Sequence, residues 1–271
     1  MRFEKWQALG NDYLIFEDVH LSAHAIRRLC DPHFGPGADG VLILHPPDEP
    51  GYVARLRIFN PDGSEAELSG NGAREAILYL RRNGWSHADT FSIQTLAGEI
   101  RPTILSPTTC RVDMGRAALR SDNYPGGPSD GRGEVEGHRF QHVTIGNPQC
   151  AIRVEDPETL DLQALGQRIE HAPIFPNRTN VSFWRELTPN TIRARIFERG
   201  VGETLSSGTG ACGAAVAHVL RGGDSPVTVK LDGGELVVDV DEALHVDLTG
   251  WAVPIYRAEL SEEFTTHMET E

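Results

Sequence analysis

At 271 residues, with 39% apolar and 24% charged side chains, the chain is long enough for one large domain or two smaller ones, each with its own core. A formal net charge of −14 excludes the basic face that a nucleic-acid partner needs. No apolar run reaches membrane-span length and Met1-Arg-Phe-Glu-Lys5 lacks a signal pattern, so a cytoplasmic protein with no membrane partner is expected.

Taken in order, Phe3 to Phe16 alternates as strand, interrupted at Gly10-Asn11-Asp12. Ser22 is placed to cap a helix through Ala25, Ile26 and Leu29. Gly35 to Gly40 reads as a loop into an apolar strand, Val41–Leu44, and Tyr52 to Phe59 has strand periodicity. Asn60-Pro-Asp-Gly63 is turn chemistry. After it comes Glu67-Leu-Ser-Gly-Asn-Gly-Ala-Arg74, then a helix predicted from Ala73 to Asn83 with Gly84 as its stop. Phe91–Ile104 and Cys110–Met114 are predicted strands. Ser121 to Gly137 is dense in turn formers and reads as a linker or excursion.

The second half repeats the first. His142–Ile145 leads into Gly146-Asn147, which echoes Gly10-Asn11 at a spacing of 136. A helix predicted from Leu160 to Glu170 echoes the one capped by Ser22. Ile192–Phe197 precedes Thr204-Leu-Ser-Ser-Gly-Thr-Gly-Ala-Cys212 as Leu56–Phe59 precedes the first serine motif, and Gly234 echoes Gly98. Ordered echoes at nearly one offset predict two copies of one α/β lobe.

Chemistry concentrates in the duplicated motif. Ser69 and Ser207 stand 138 residues apart, each followed by Gly-polar-Gly-Ala and a helix start. The first N–H groups of a helix lack intrahelical partners, and the macrodipole adds about half a positive charge there. Glycine lets an anion approach that backbone closely. One such motif alone reads as a tight turn before a helix; two at a matched offset favour a shared carboxylate site. A symmetric pair of groups about one carbon suits proton removal on one face and delivery on the other. A pyridoxal cofactor would need a lysine, and the two present, Lys5 at a chain end and Lys230 in a strand-like run, are poorly placed. No cofactor is expected. No metal is expected either, because Cys30, Cys110, Cys150 and Cys212 are scattered and the histidines lack ligand spacing.

Phe59-Asn-Pro-Asp-Gly-Ser-Glu-Ala-Glu-Leu-Ser-Gly-Asn-Gly-Ala-Arg74 and Glu198-Arg-Gly-Val-Gly-Glu-Thr-Leu-Ser-Ser-Gly-Thr-Gly-Ala-Cys212 closely resemble the signatures of the diaminopimelate epimerase family. Gly10-Asn11-Asp12, Gly146-Asn147-Pro148 and Arg178-Thr-Asn-Val-Ser-Phe183 follow in the family's order, and the resemblance runs from about residue 3 to 256. It implies an α/β fold of two pseudo-symmetric lobes, each a mostly antiparallel sheet or barrel wrapped around a central helix. The lobes would be 1–115, with 252–262 returning to it, and 116–251, with 263–271 as an acidic tail. It further implies a pyridoxal-independent isomerase, usually a homodimer. Such an enzyme interconverts LL- and meso-diaminopimelate in the cleft between lobes, for lysine and peptidoglycan synthesis.

Carried over by position, Asn11, Asn60, Asn147, Asn180 and Arg199 would hold the amino dicarboxylate substrate. Gly70, Asn71, Gly208 and Thr209 would offer N–H groups to the reacting carboxylate, and Glu198 would hold the reacting amino group and support the second base. Ser69 and Ser207 stand at the family's two catalytic cysteine positions, and Gln149 stands where a histidine is usual. Cys212, five residues beyond Ser207, reads as packing. Three functions stay open on these residues: an epimerase using Ser69, Ser207 and Glu198, a silent ligand-binding relative, and another isomerase or lyase on the same scaffold.

Overall fold

The computed structural model of the protein describes residues 1–270 and divides the chain into two compact units, Met1–Val112 together with the segment from Gly250 onward, and Asp113–Thr249. The first unit comprises β1 (Arg2–Ala8), β2 (Asn11–Glu17), α1 (Ala23–Cys30), β3 (Val41–His45), β4 (Ala54–Phe59), β5 (Glu65–Ala66), α2 (Gly70–Arg82), β6 (Ile93–Thr95) and β7 (Gly98–Ile100). A hairpin of β8 (Pro102–Ser106) and β9 (Thr109–Arg116) follows. The second unit carries β10 (Arg132–Val135), β11 (His138–Thr144), β12 (Pro148–Arg153), α3 (Leu162–Glu170), β13 (Asn180–Thr188), β14 (Thr191–Glu198), β15 (Gly202–Thr204), α4 (Gly208–Val219), β16 (Val227–Leu231), β17 (Gly234–Val240) and β18 (His245–Trp251). The chain then returns through β19 (Val253–Glu259) and α5 (Glu262–Thr270).

The two units share one topology. In the first, β1 and β2 pair antiparallel, β2 and β3 parallel, β3 and β4 antiparallel, β4 and β6 parallel, and β6 and β7 antiparallel, with β5 folded back on β4. In the second, β11 to β14, β16 and β17 repeat the same sequence of pairings, and β15 folds back on β14. The duplication is therefore one of architecture as well as motif.

Each sheet encloses a helix. Residues Asn71 to Leu80 of α2 are all buried, as are Gly210 to His218 of α4, which is what a helix surrounded by strands requires. The small residues of α4 let strands approach: a Cβ on Gly210 would lie 2.7 Å from Ile196 Cδ1, and one on Gly213 would lie 2.8 Å from Gln149 Cβ. The outer helices complete two separate cores. In the first unit, Leu21, Ala25, Ile26 and Leu29 pack with Phe3, Phe16 and Ile43. In the second, Leu162 and Ile169 pack with Phe140, Phe183 and Phe197.

Several local expectations shift. Helix α2 begins three residues before the predicted start, because Ser69 caps it, and it ends at a left-handed Gly84 (φ 78°) with Trp85 N–H donating to Leu80 O at 3.0 Å. The predicted strand Phe91–Ile104 is three short strands, interrupted by a turn at Leu96-Ala97 and by Arg101. Asp161 caps α3, so the helix starts at Leu162 after a separate single turn at Pro157–Thr159. The segment read as a linker or excursion is an anchored excursion: the Tyr124 ring packs edge-on to Phe140 and tilted against Phe175, and Arg132–Val135 joins the sheet as β10. Turn-forming composition set its backbone, while one aromatic side chain anchors it. The segment set apart as an acidic tail is helical to Thr270, and Met268 is buried against the first core.

Candidate active site

In the first unit, Ser69 is the N-cap of α2 with extended backbone (φ −129°, ψ 122°). Its Oγ accepts from Gly72 N–H at 3.1 Å and its carbonyl from Ala73 N–H at 2.8 Å. Such a cap is worth about 1 kcal/mol to the helix. The N–H groups of Gly70 and Asn71 lie ahead of the helix's own ladder, at the positive end of its dipole. A fully buried cation strengthens that end: Arg74 donates to Gly70 O at 2.9 Å and to Asn71 Oδ1 at 2.5 Å. Asn71 Nδ2 donates to Asn11 Oδ1 at 3.2 Å, and Asn11 Nδ2 to Asp39 Oδ2 at 2.9 Å. Gly70, Asn71 and Asn11 are thus joined through Arg74 in one hydrogen-bonded chain beside the Ser69 cap. Asn60 serves its own turn, its Nδ2 donating to Ser64 Oγ at 3.0 Å.

The second unit builds the equivalent on α4. Ser207 is its N-cap (φ −140°, ψ 123°), with Oγ accepting from Gly210 N–H at 3.2 Å. Gly208 and Thr209 take the places of Gly70 and Asn71. Asn147 Nδ2 donates to Thr209 Oγ1 at 3.1 Å, leaving the threonine proton to point elsewhere. Gln149, fully buried, donates to Asn147 Oδ1 at 2.6 Å, while its own Oε1 has no hydrogen-bond partner among the described residues. Glu198, at the end of β14, accepts from Thr204 Oγ1 at 2.9 Å and interacts with the Ser207 hydroxyl. Burial raises its pKa above the ordinary glutamate value, against the opposing pull of those two hydroxyls. A carboxyl held so can take a proton from a neighbouring hydroxyl or return one.

Asn180 ties two strand ends together. Its Nδ2 donates to Pro148 O and its Oδ1 accepts from Arg199 N–H, both at 2.9 Å, which locks the start of β12 to the end of β14. Arg199 itself is exposed, with one guanidinium N–H on Asn177 O at 3.1 Å. Cys212 is fully buried within α4. Asp113, His245 and Asp247 converge on the second unit's surface, where the His245 Nε2–Asp113 Oδ1 pair at 2.9 Å accounts for the approach of the first two.

Four residues in or near the two serine motifs have no role assigned from the sequence: Tyr13, Arg74, Glu75 and Thr204. Glu75 had a visible signal, a carboxylate amid the apolar positions of a central helix. It is completely buried, and neither carboxyl oxygen has a hydrogen-bond partner among the described residues. Desolvation drives its pKa well above the usual carboxylate range, against the smaller opposing pull of Arg74 and of the nearby Tyr13 main chain. Tyr13 follows Gly10-Asn11-Asp12 directly, and its hydroxyl lies 3.1 Å from Ser69 Oγ.

The family model for diaminopimelate epimerase matches residues 3–120 and 141–253. The chain is 39% identical to a diaminopimelate epimerase of Pelotomaculum thermopropionicum, covering 96% of this chain and 98% of that one. It is also 39% identical to one of Desulfitobacterium hafniense, covering 97% and 99%. Solved structures share the fold at low identity. A probable proline racemase from Agrobacterium radiobacter superposes with TM-score 0.70 at 15% identity, covering 96% of this chain and 93% of that one. A predicted epimerase from Pseudomonas aeruginosa gives 0.66 at 19%, covering 96% and 98%. With both halves of the duplicated architecture matched and near-complete coverage by relatives at this identity, the chain belongs to the diaminopimelate epimerase family.

Proposed function

We propose that this family member interconverts LL- and meso-diaminopimelate by proton transfer at Cα, supplying lysine and peptidoglycan synthesis, with Ser69 and Ser207 at the two proton-exchanging positions. One observation carries the reading: the two serines hold the same place in two units of identical topology, each capping a buried helix and each beside a group able to share its proton. Helix-end N–H groups of Gly70, Asn71, Gly208 and Thr209 would receive the reacting carboxylate as charge develops on it. Asn11, Asn60, Asn147, Asn180 and Arg199 would orient the rest of the substrate, directly or through the bonds described.

Serine is a weaker proton exchanger than cysteine, whose thiol ordinarily titrates near pH 8.5. Glu198 answers this in the second unit, because a carboxyl with a raised pKa is a better-matched base than an unassisted hydroxyl. We also place the enzyme in the cytoplasm as a homodimer. Among the described residues no helix is long and apolar enough to cross a membrane. Edge strand β19 exposes Ile255 and Tyr256, a surface suited to a second copy.

The test is incubation of LL-diaminopimelate with the protein in D2O, followed by NMR. Deuterium at Cα with formation of the meso isomer is expected. Tight binding with neither exchange nor inversion would instead identify a silent ligand-binding relative.

A further inference from the structure

We propose that Tyr13 is the proton-relay and positioning partner of Ser69, so that the first unit uses a phenol where the second uses the carboxyl of Glu198. The inference rests on Ser69 exchanging a proton with substrate, as proposed above.

The Ser69 hydroxyl has one proton and two lone pairs. Gly72 N–H and Tyr13 O–H approach the oxygen at 3.1 Å each, which fills both lone pairs and turns the serine proton away from both donors. Ser69 is thereby presented as a donor in a fixed direction. The phenol is itself held firmly. Tyr13 is 6% exposed, and its ring lies so close over Gly40 that a Cβ there would come within 2.5 Å of Tyr13 Cε1 and 2.4 Å of Phe59 O.

A phenol, which ordinarily titrates near pH 10, carries negative charge far more readily than an aliphatic alcohol. In the donating direction the Ser69 O–H bond breaks as a C–H bond forms at the substrate carbanion. The Tyr13 proton moves to Ser69 Oγ, and the charge rests on the phenolate oxygen. In the accepting direction the phenolate takes the Ser69 proton as Ser69 Oγ takes the proton of Cα. Each passage moves two protons one place, and no atom or electron is gained or lost. At the equivalent position of the second unit stands Gln149, which has no proton to give up in this way and bonds Asn147 instead.

The experiment compares Tyr13→Phe with wild type, in the native chain and in a Ser69→Cys background, reading the diaminopimelate Kd and the rate of Cα deuterium exchange against pH. With Ser69 present, the expected result is a Kd within about twofold and an exchange rate lowered at least about tenfold. The loss should shrink to about threefold or less in the Ser69→Cys background, because a thiol holds its own charge. The alkaline dependence of the native rate should also change in the Phe variant. Equal losses in both backgrounds, a parallel loss of binding, or exchange within twofold of wild type would overturn the relay while leaving the epimerase reading intact. Absence of exchange in wild type overturns that reading itself, and the relay with it. If Tyr13→Phe fails to fold, 3-fluorotyrosine at position 13 should shift the pH profile to lower pH, and an unshifted profile overturns the proposal.

Discussion

Tyr13 and Gln149 occupy equivalent strand positions 136 residues apart, yet only Tyr13 reaches the capping serine of its own unit. Its hydroxyl is 3.1 Å from Ser69 Oγ, whereas Gln149 Nε2 turns to Asn147 Oδ1 at 2.6 Å. In the second unit the carboxyl of Glu198 stands by the serine instead. Identical topology therefore carries unequal chemistry, and the two serines should respond differently to pH and to substitution.

Restoring thiols tests the serines directly. The double variant Ser69→Cys/Ser207→Cys should raise kcat for epimerisation by about two orders of magnitude, roughly 2.7 kcal/mol of barrier. Coupled assays of LL- to meso-diaminopimelate conversion would measure it. No gain would mean that proton exchange does not pass through these positions.

Glu198→Gln should lower kcat/KM by about tenfold to a hundredfold, within the usual range for a general base. Because burial raises the Glu198 pKa, wild-type activity should fall on acidification at a higher pH than an ordinary glutamate would dictate, as the carboxylate protonates. That acid limb should vanish in the Gln variant. A pH–rate profile with the limb unchanged would remove Glu198 from the chemistry.

Arg199→Met addresses substrate choice. Its exposed guanidinium suits a carboxylate remote from the reacting carbon. The Kd for diaminopimelate should rise about tenfold to a hundredfold, about 1.4 to 2.7 kcal/mol, with little change for an analogue lacking the distal carboxylate. Calorimetry on both ligands decides; equal effects would mean that Arg199 acts on structure alone.

Glu75→Gln should stabilise the protein, increasingly so as pH rises. The folded-state pKa of Glu75 is raised, so the unfolded chain releases this proton first. The neutral carboxyl's stability is complete below about pH 4.3, the ordinary unfolded value, and is lost as pH climbs toward the folded pKa. Over that window the variant's advantage should grow by about 1.4 kcal/mol per pH unit, with about 2–4 °C in Tm for each kcal/mol. Melting curves at pH 5 and pH 8 would show it, and a Tm difference independent of pH would contradict a buried neutral Glu75.

Much of this molecule is decided locally and is legible in the chain. Ser22 and Gly84 bound their helices as cap chemistry requires, and Ser69 caps α2 through its own hydroxyl three residues ahead. The duplicated glycine motifs announce two like lobes, because equal spacing of strands, turns and helix starts makes equal topology. Asn11, Asn71, Asn147 and Thr209 do meet in pairs beside those helix starts.

Tertiary structure alone decided which side chain serves Ser69. Tyr13 lies 56 positions from Ser69, and only strand register together with a glycine beneath its ring brings the hydroxyls to 3.1 Å. Asn180, named from the sequence as a substrate contact, also bonds Pro148 O and Arg199 N–H through its amide, a use invisible without the strand pairing. Glu75 shows in sequence only as a carboxylate amid the apolar positions of a helix. Its burial, its missing partners and its raised pKa arise only when a complete sheet closes around α2 and excludes the water that would have solvated it. Patterns a few residues long set caps, turns and lobes, whereas proton-sharing contacts and desolvation depend on groups that folding brings together from distant parts of the chain.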